Sequence, residues 1–188
     1  VALFRTEVTD KQFFVFLATQ EVSAQTLLNI DEVTLQGFEA ELVYRTPLTG
    51  LDLFGAYGYL DSEIDKYTAN EDYPTEGNHA PYVPEYTVNL GAEWNLPFFV
   101  DGVDFVARID YQRLGPTYWQ PEEFVKRDPV DLVNARVALQ SSGDGKYMLA
   151  AWGKNLFEEE YNAESDGPYG FVHPAAPRTW GVDFTMRF

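Results

Sequence analysis

Apolar and polar residues alternate with a period of two over much of this chain. In "YTVNLGAEWNL", Tyr86, Val88, Leu90, Ala92, Trp94 and Leu96 share one phase, while Thr87, Asn89, Gly91, Glu93 and Asn95 take the other. "VDFVARIDY" sets Val103, Phe105, Ala107, Ile109 and Tyr111 against Asp104, Val106, Arg108 and Asp110. "LVNARVALQ" opposes Val133, Ala135, Val137 and Leu139 to Asn134, Arg136 and Gln140. "GFEAELVY" opposes Phe38, Ala40, Leu42 and Tyr44 to Gly37, Glu39, Glu41 and Val43. At the C-terminus Trp180, Val182, Phe184, Met186 and Phe188 oppose Gly181, Asp183, Thr185 and Arg187. Successive side chains of a strand point to opposite faces, so each stretch predicts a strand of about 8–12 residues with one apolar face. Leu51–Asp61 and Lys146–Phe157 are strand-like without a clear phase, and "KQFFVFLAT" is apolar on both faces. Helical spacing is sustained nowhere, and the expected class is all-β and antiparallel.

The connections alternate in length. Thr46–Gly50, Leu96–Gly102 and Ser141–Gly145 are short; Gln20–Val33, Ser62–Glu85, Gly115–Val130 and Glu158–Pro177 are long. An up-and-down sheet with tight turns at one end and long loops at the other has the form of an outer-membrane barrel, with short periplasmic turns and long extracellular loops. No apolar run approaches the ~18 residues a spanning helix needs. In lipid every backbone polar group must be paired, so a membrane reading requires a closed barrel.

Counting back from the last strand, Val1–Thr6 falls at the tail of an inward strand, followed by a short turn near Glu7–Asp10 and an outward strand over Lys11–Thr19. The count is about eight to nine strands. So few would close only into a narrow, side-chain-filled barrel, or leave open edges. The chain therefore reads as a segment of an antiparallel transmembrane β-barrel, residues 1–188 forming one part of a larger barrel domain.

Composition narrows the function. Thirty acidic residues stand against 13 basic ones, a formal net charge of -17. Nucleic-acid binding needs a basic face and is excluded. Aromatic residues make up 16% of the chain, as suits girdles at a membrane interface. Cysteine is absent, which removes disulfide scaffolds and thiol chemistry. No Ser/His/Asp order or H-x-x-x-H spacing is present, so the reading is not an enzyme and has no cofactor or resident metal.

Charge also assigns the faces. An Arg or Lys near mid-depth in lipid costs roughly 2–4 kcal/mol. The polar phase, Glu39, Glu41, Glu93, Arg108, Asp110, Arg136 and Asp183, is expected toward a wet lumen. Phe38, Leu90, Trp94, Phe105, Ile109, Val137 and Phe184 are expected toward lipid. The long loops are acidic: Asp61, Glu63, Asp65, Glu71, Asp72 and Glu76 in one, Glu122, Glu123 and Asp128 in the next, Glu158, Glu159, Glu160, Glu164 and Asp166 in the last. A solvated outer surface accounts for that charge. The loop aromatics Tyr82, Tyr118, Trp119, Tyr169 and Phe171 are candidates for a ligand vestibule, since binding sites join aromatic walls to a few polar groups. His79 and His173 are candidates to meet at its mouth on a metal complex.

Four blocks in order carry a resemblance: "GFEAEL" (Gly37 to Leu42), "GNHAPYVPEYTVNLGAEW" (Gly77 to Trp94), "WGKNLFEEEY" (Trp152 to Tyr161) and "PRTWGVDFTMRF" (Pro177 to Phe188). With them the chain resembles the C-terminal part of a TonB-dependent outer-membrane receptor. The resemblance implies a barrel of about 22 strands around an N-terminal plug, in the cell outer membrane of a Gram-negative bacterium. It implies uptake of a scarce, bulky nutrient (an iron chelate, cobalamin, a glycan or similar) energised from the inner membrane by a TonB-type coupling protein. The plug, coupling motif and first strands are not in this sequence and would come from the same or another chain. The implied partners are the bilayer, lipopolysaccharide and the barrel-assembly machinery, for which Phe188 looks like the terminal aromatic signal. The alternative is a non-transporting structural or surface-binding barrel component of a larger assembly.

Overall fold

A computed structural model describes residues 1–18, 23–69, 73–97, 100–143, 146–166 and 171–188, without the side chains of 15–18, 23–25, 97 and 166. Every regular element in it is a strand. None of its elements is a helix long and apolar enough to cross a membrane. The strands are β1 (Ala2–Ala18), β2 (Ser23–Arg45), β3 (Leu51–Lys66), β4 (Tyr86–Pro97), β5 (Val103–Leu114), β6 (Thr117–Tyr118), β7 (Lys126–Arg127), β8 (Val130–Ser141), β9 (Tyr147–Lys154), β10 (Asn162–Asp166), β11 (Phe171–Pro174) and β12 (Thr179–Met186).

Eight of them form one antiparallel sheet in the order β1-β2-β3-β4-β5-β8-β9-β12. Neighbours in space are neighbours along the chain once the loop strands are set aside, the up-and-down connectivity expected from alternating loop lengths. The short pairs β6–β7 and β10–β11 lie within two of the long loops. β1 and β12 are the two edges of the sheet.

Three expectations need correction. The turn near Glu7–Asp10 does not exist: β1 runs unbroken for 17 residues, paired to β2 on both sides of Asp10, from Ala2↔Glu39 to Ala18↔Ser23. Val1–Thr6 is therefore not the tail of an inward strand, and the sheet has eight strands among the described residues, the lower end of the expected eight to nine. The loop at Gln20–Val33 is likewise mostly strand, because β2 spans 23 residues. The chain bends at Asp10, which has φ 54. There the phase of both strands slips: Val8 and Phe13 on β1, and Ile30 and Val33 on β2, lie an odd number of positions apart and yet pack in one cluster. Finally, Asp61, Glu63 and Asp65 lie on β3, which extends to Lys66, and not in a loop.

The buried core sits at the long-loop end. Phe13, Ile30, Val33, Ile64, Tyr67 and Ala80 pack together, with Val8, Leu28, Leu35 and Val83 around them. The loop after β3 folds back over the strands to close this cluster: Ile64 N–H donates to Asn78 O at 2.8 Å and Gly77 N–H to Ile64 O at 2.9 Å. At the opposite end the β2–β3 turn is tight. Gly50 has φ 76, and a Cβ there would lie 1.8 Å from Asn95 O, so the position requires glycine twice over.

Candidate functional site

The register fixes two faces. Trp94 faces Leu51 on β3 and Ala107 on β5; Ala107 faces Val137 on β8, and Val137 faces Ala151 on β9. Phe38, Leu90, Trp94, Phe105, Ile109, Val137 and Phe184 share this side. Six of these seven stay open, from 36% exposed at Phe38 to 69% at Phe184, and Phe105 is half-buried. No second layer covers them among the described residues, so this is not the core face of a soluble sandwich.

The other face carries Glu39, Glu41, Glu93, Arg108, Asp110, Arg136 and Asp183. Glu93 lies opposite Arg108, and Arg108 opposite Arg136. Two like charges side by side are tolerated because each guanidinium has its own carboxylates. Arg108 donates from Nη2 to Asp110 at 2.8 Å and from Nη1 to Glu93 at 3.4 Å, and its guanidinium lies 4.6 Å above the Phe54 ring. Arg136 Nη1 donates to Asp183 at 3.2 Å. Arg108, Asp110, Arg136 and Asp183 line, with Asn134, Trp152 and Lys154, a hollow of about 520 Å³. Glu39 and Glu41 occupy the same face further along the sheet and form no ion pair among the described residues. Phe54 packs here because Gly91 leaves room for its ring; a Cβ on Gly91 would lie 2.0 Å from it.

The long loops lock together. His79 N–H donates to Glu123 Oε1 at 2.7 Å, and its Nδ1 lies 2.7 Å from the same oxygen. The His79 ring stacks on Tyr118 at 4.9 Å. Tyr82 N–H donates to Tyr118 O at 2.9 Å, its ring meets Trp119 edge-on at 5.5 Å, and its hydroxyl donates to Glu164 Oε1 at 3.2 Å. Gln120 Nε2 donates to Ser165 O at 3.1 Å. Three loops, at residues 67–85, 115–129 and 155–178, thus form one layer. Tyr82 has φ 66, a costly conformation for a bulky residue, held by these contacts.

Four sequence candidates, His79, Tyr82, Tyr118 and Trp119, come together here. Trp119 is buried, and Phe171 is about half exposed on β11. Tyr169, Glu71, Asp72 and the side chain of Asp166 lie outside the described residues. The two histidines do not share a partner: His79 takes Glu123, while His173 Nδ1 lies 3.3 Å from Glu164 Oε2. No group of three or more His, Cys, Asp or Glu able to hold a metal occurs among the described residues.

Two residues that organise the loops escape a period-two reading. Asn155, buried at φ 50, pins both ends of the last long loop. Its Nδ2 donates to Glu159 O at 2.9 Å and Ala176 O at 3.4 Å, and its Oδ1 accepts from Glu159 N–H at 2.8 Å. Arg127 lies between aromatic rings, 5.5 Å from Trp119 and 5.9 Å from Tyr161, and burial lowers its pKa. The only sequence hint was a basic pair, Lys126–Arg127, within an acidic loop.

An antiparallel up-and-down wall with an open apolar face, a charged opposite face and a knit layer of long loops is the wall of a membrane β-barrel. Residues 1–156 match the family of TonB dependent receptor-like β-barrels, and the chain belongs to that family, whose members lie in the cell outer membrane of Gram-negative bacteria. Solved structures share the fold. The ferric yersiniabactin uptake receptor FyuA of Yersinia pestis superposes with a TM-score of 0.77 at 19% identity, over 99% of this chain and 27% of its own. The ferric preacinetobactin receptor BauA of Acinetobacter baumannii gives 0.71 at 19% identity, over 97% and 26%. The copper transporter OprC gives 0.69 at 14% identity, over 98% and 28%. The chain thus spans about a quarter of the length of the structures it matches.

Proposed function

We propose that this chain is the wall of an outer-membrane receptor that takes up a scarce, bulky nutrient, such as an iron or other metal chelate, cobalamin or a glycan. The observation that carries the reading is the two-faced wall beneath a locked loop layer. Tyr86 to Leu96 exposes alternate apolar groups over about 34 Å of strand, which at a ~45° tilt spans about 24 Å, the height of an outer-membrane apolar band. Phe38, Leu90, Trp94, Phe105, Ile109, Val137 and Phe184 face lipid, and the lipopolysaccharide leaflet surrounds the long-loop end. Glu39, Glu41, Glu93, Arg108, Asp110, Arg136 and Asp183 face the lumen, where they meet a plug domain.

The remaining strands, of about 22 in all, the plug and the segment that engages a TonB-type energy-coupling protein come from the rest of the receptor. They pair with the β1 and β12 edges, since an open edge in lipid is prohibitive. Phe188 serves as the terminal signal for the barrel-assembly machinery. The exposed loop layer meets the nutrient first, with Tyr82, Tyr118, Phe171 and His79 as its accessible aromatic groups.

The test is uptake by a strain lacking the full receptor, supplied with candidate nutrients. Loss of uptake of one nutrient, restored by the intact gene only when the coupling protein is present, is the expected result. A strain with undiminished uptake of every nutrient, but a weakened surface assembly, would favour the non-transporting barrel component instead.

A further inference from the structure

Arg127 is a half-buried arginine in the loop layer whose surroundings differ from those of the ion-paired arginines. Arg108, Arg113, Arg136 and Arg178 each reach a carboxylate. Among the described residues Arg127 reaches none, although acidic residues exceed basic ones 30 to 13. Its Nη2 donates only to neutral oxygens, Thr117 Oγ1 at 2.9 Å and Gly115 O at 3.4 Å. Its Nε is enclosed with no acceptor in reach. A partly buried cation is ordinarily matched by a counter-charge, and an acidic loop could easily have supplied one.

The surroundings hold the guanidinium in place. Trp119 lies on one contact and Tyr161 on another, so the planar fork is fixed by cation–π packing. Both rings and Arg127 line a cavity of about 260 Å³ between the 115–129 and 155–178 loops, together with Lys126, Asn162 and Ser165. Asp128, Glu159 and Glu160 also border it, so a group bearing several negative charges would be repelled there. The cavity volume suits a single ring or a short acid, not a whole bulky nutrient.

We propose that Arg127, with Trp119 and Tyr161, forms a subsite for one carboxylate-bearing ring or short chain of the ligand. The carboxylate supplies the counter-charge that no described residue places within ion-pair reach of Arg127, and the rings border its apolar body. As a part of nutrient capture, the subsite rests on the receptor reading above; as a binding site it is testable apart from it.

The probe is benzoate, with benzamide as its neutral counterpart of the same shape. Binding is followed by saturation-transfer NMR on the full receptor in detergent, with heat-modifiable migration as the check on folding. Benzoate is expected to bind and benzamide not to. Arg127→Gln should weaken benzoate about tenfold, as loss of a charge-assisted pair does, while Arg127→Lys retains part of the binding. Glu160→Gln leaves the packing intact and removes a nearby negative charge, so it should tighten benzoate about twofold. Equal binding of benzamide, benzoate binding unaffected by Arg127→Gln in folded receptor, or no tightening in Glu160→Gln would each overturn the proposal. If Arg127→Gln fails to fold, the benzamide and Glu160→Gln arms decide. A receptor that takes up no nutrient yet binds benzoate through Arg127 would refute the transport reading and leave the subsite standing.

Discussion

Ile109→Arg tests which solvent the apolar face meets. Ile109 lies near the middle of β5, between Ala92 and Ala135 on the neighbouring strands, and is 50% exposed. Two small neighbours leave space for a longer side chain, so overpacking adds little. If the face meets lipid, a guanidinium at this depth costs about 2–4 kcal/mol, a roughly 30- to 900-fold loss in the ratio of folded to unfolded receptor. If the face meets water, an exposed substitution of this kind stays within about 0.5 kcal/mol. Asn89→Arg is the control on the opposite face. It removes one hydrogen bond, the 3.1 Å donation from Gln112 Nε2 to Asn89 Oδ1, for about 0.5–1.5 kcal/mol. Denaturant unfolding of the full receptor in phospholipid vesicles measures both. Ile109→Arg within 0.5 kcal/mol (about the ceiling for a water-facing site) or less costly than Asn89→Arg would refute the assignment of faces.

Three further outcomes are expected. Asn155→Ala removes three side-chain hydrogen bonds from the last long loop and leaves an alanine at positive φ, which costs about 2–4 kcal/mol locally; limited proteolysis should cut within 158–177 faster while heat-modifiable migration is unchanged. Gly91→Ala drives a methyl into the Phe54 ring, for about 1–3 kcal/mol of overpacking, and Phe54→Ala in the same chain should recover part of the loss in an unfolding titration. The Tyr67 hydroxyl is raised from 10.0 to about 12, first by burial and then by the charges of Glu122 and Asp31. The folded state thus favours the neutral phenol, so its contribution is complete below pH 10.0 and is lost as pH rises through about 12. A phenolate absorbance titration should show this late step in the wild type and not in Tyr67→Phe.

How far the fold could be read from sequence depended on whether a strand stays in one environment. β4, β5, β8 and β12 keep one apolar phase along their length, and each was legible from alternation alone. β1, β2 and β3 were recognised as strands over only part of their length. The phase slip at Asp10 and Asp31 broke the pattern that would have joined Lys11–Ala18 to Val1–Thr6, and suggested a turn. Within the loops, Tyr82, Tyr118 and Trp119 were visible as aromatic residues, but their meeting depends on three separate loops docking. Arg127 acts through oxygens and ring faces that alternation does not reveal, and Asn155, though inside the "WGKNLFEEEY" block, shows its role only through the loop it closes onto Glu159 and Ala176.

β2 and β3 hold the clearest physical marker of a boundary. Along β2 the open side carries Leu42, Ala40 and Phe38, then Gln36 and Thr34, while the other side carries Glu41 and Glu39, then Leu35 and the buried Val33. β3 does the same: Leu53, Tyr57 and Tyr59 give way to Asp61, Glu63 and Asp65 on one side, and on the other Asp52 gives way to the buried Ser62 and Ile64. The pairing from Val33↔Ile64 to Arg45↔Asp52 has no break, so the swap is not a register shift. The surroundings change instead. Beyond Phe38 and Tyr59 the open side is polar enough for water, with Gln36 donating to Asp61 at 3.0 Å and Thr34 to Asp65 at 2.8 Å. The inner side there is closed by the loop after β3 and becomes an ordinary core. Before those residues, the open side is apolar and uncovered. If the open apolar face meets lipid, as proposed, the lipid surface ends near the level of Phe38 and Tyr59. On the proposed lipid-facing assignment, the apparent loss of phase in β3 marks the membrane interface, and Tyr57 and Tyr59, packed against Phe38 at 5.6 Å and 6.1 Å, would form part of its aromatic girdle.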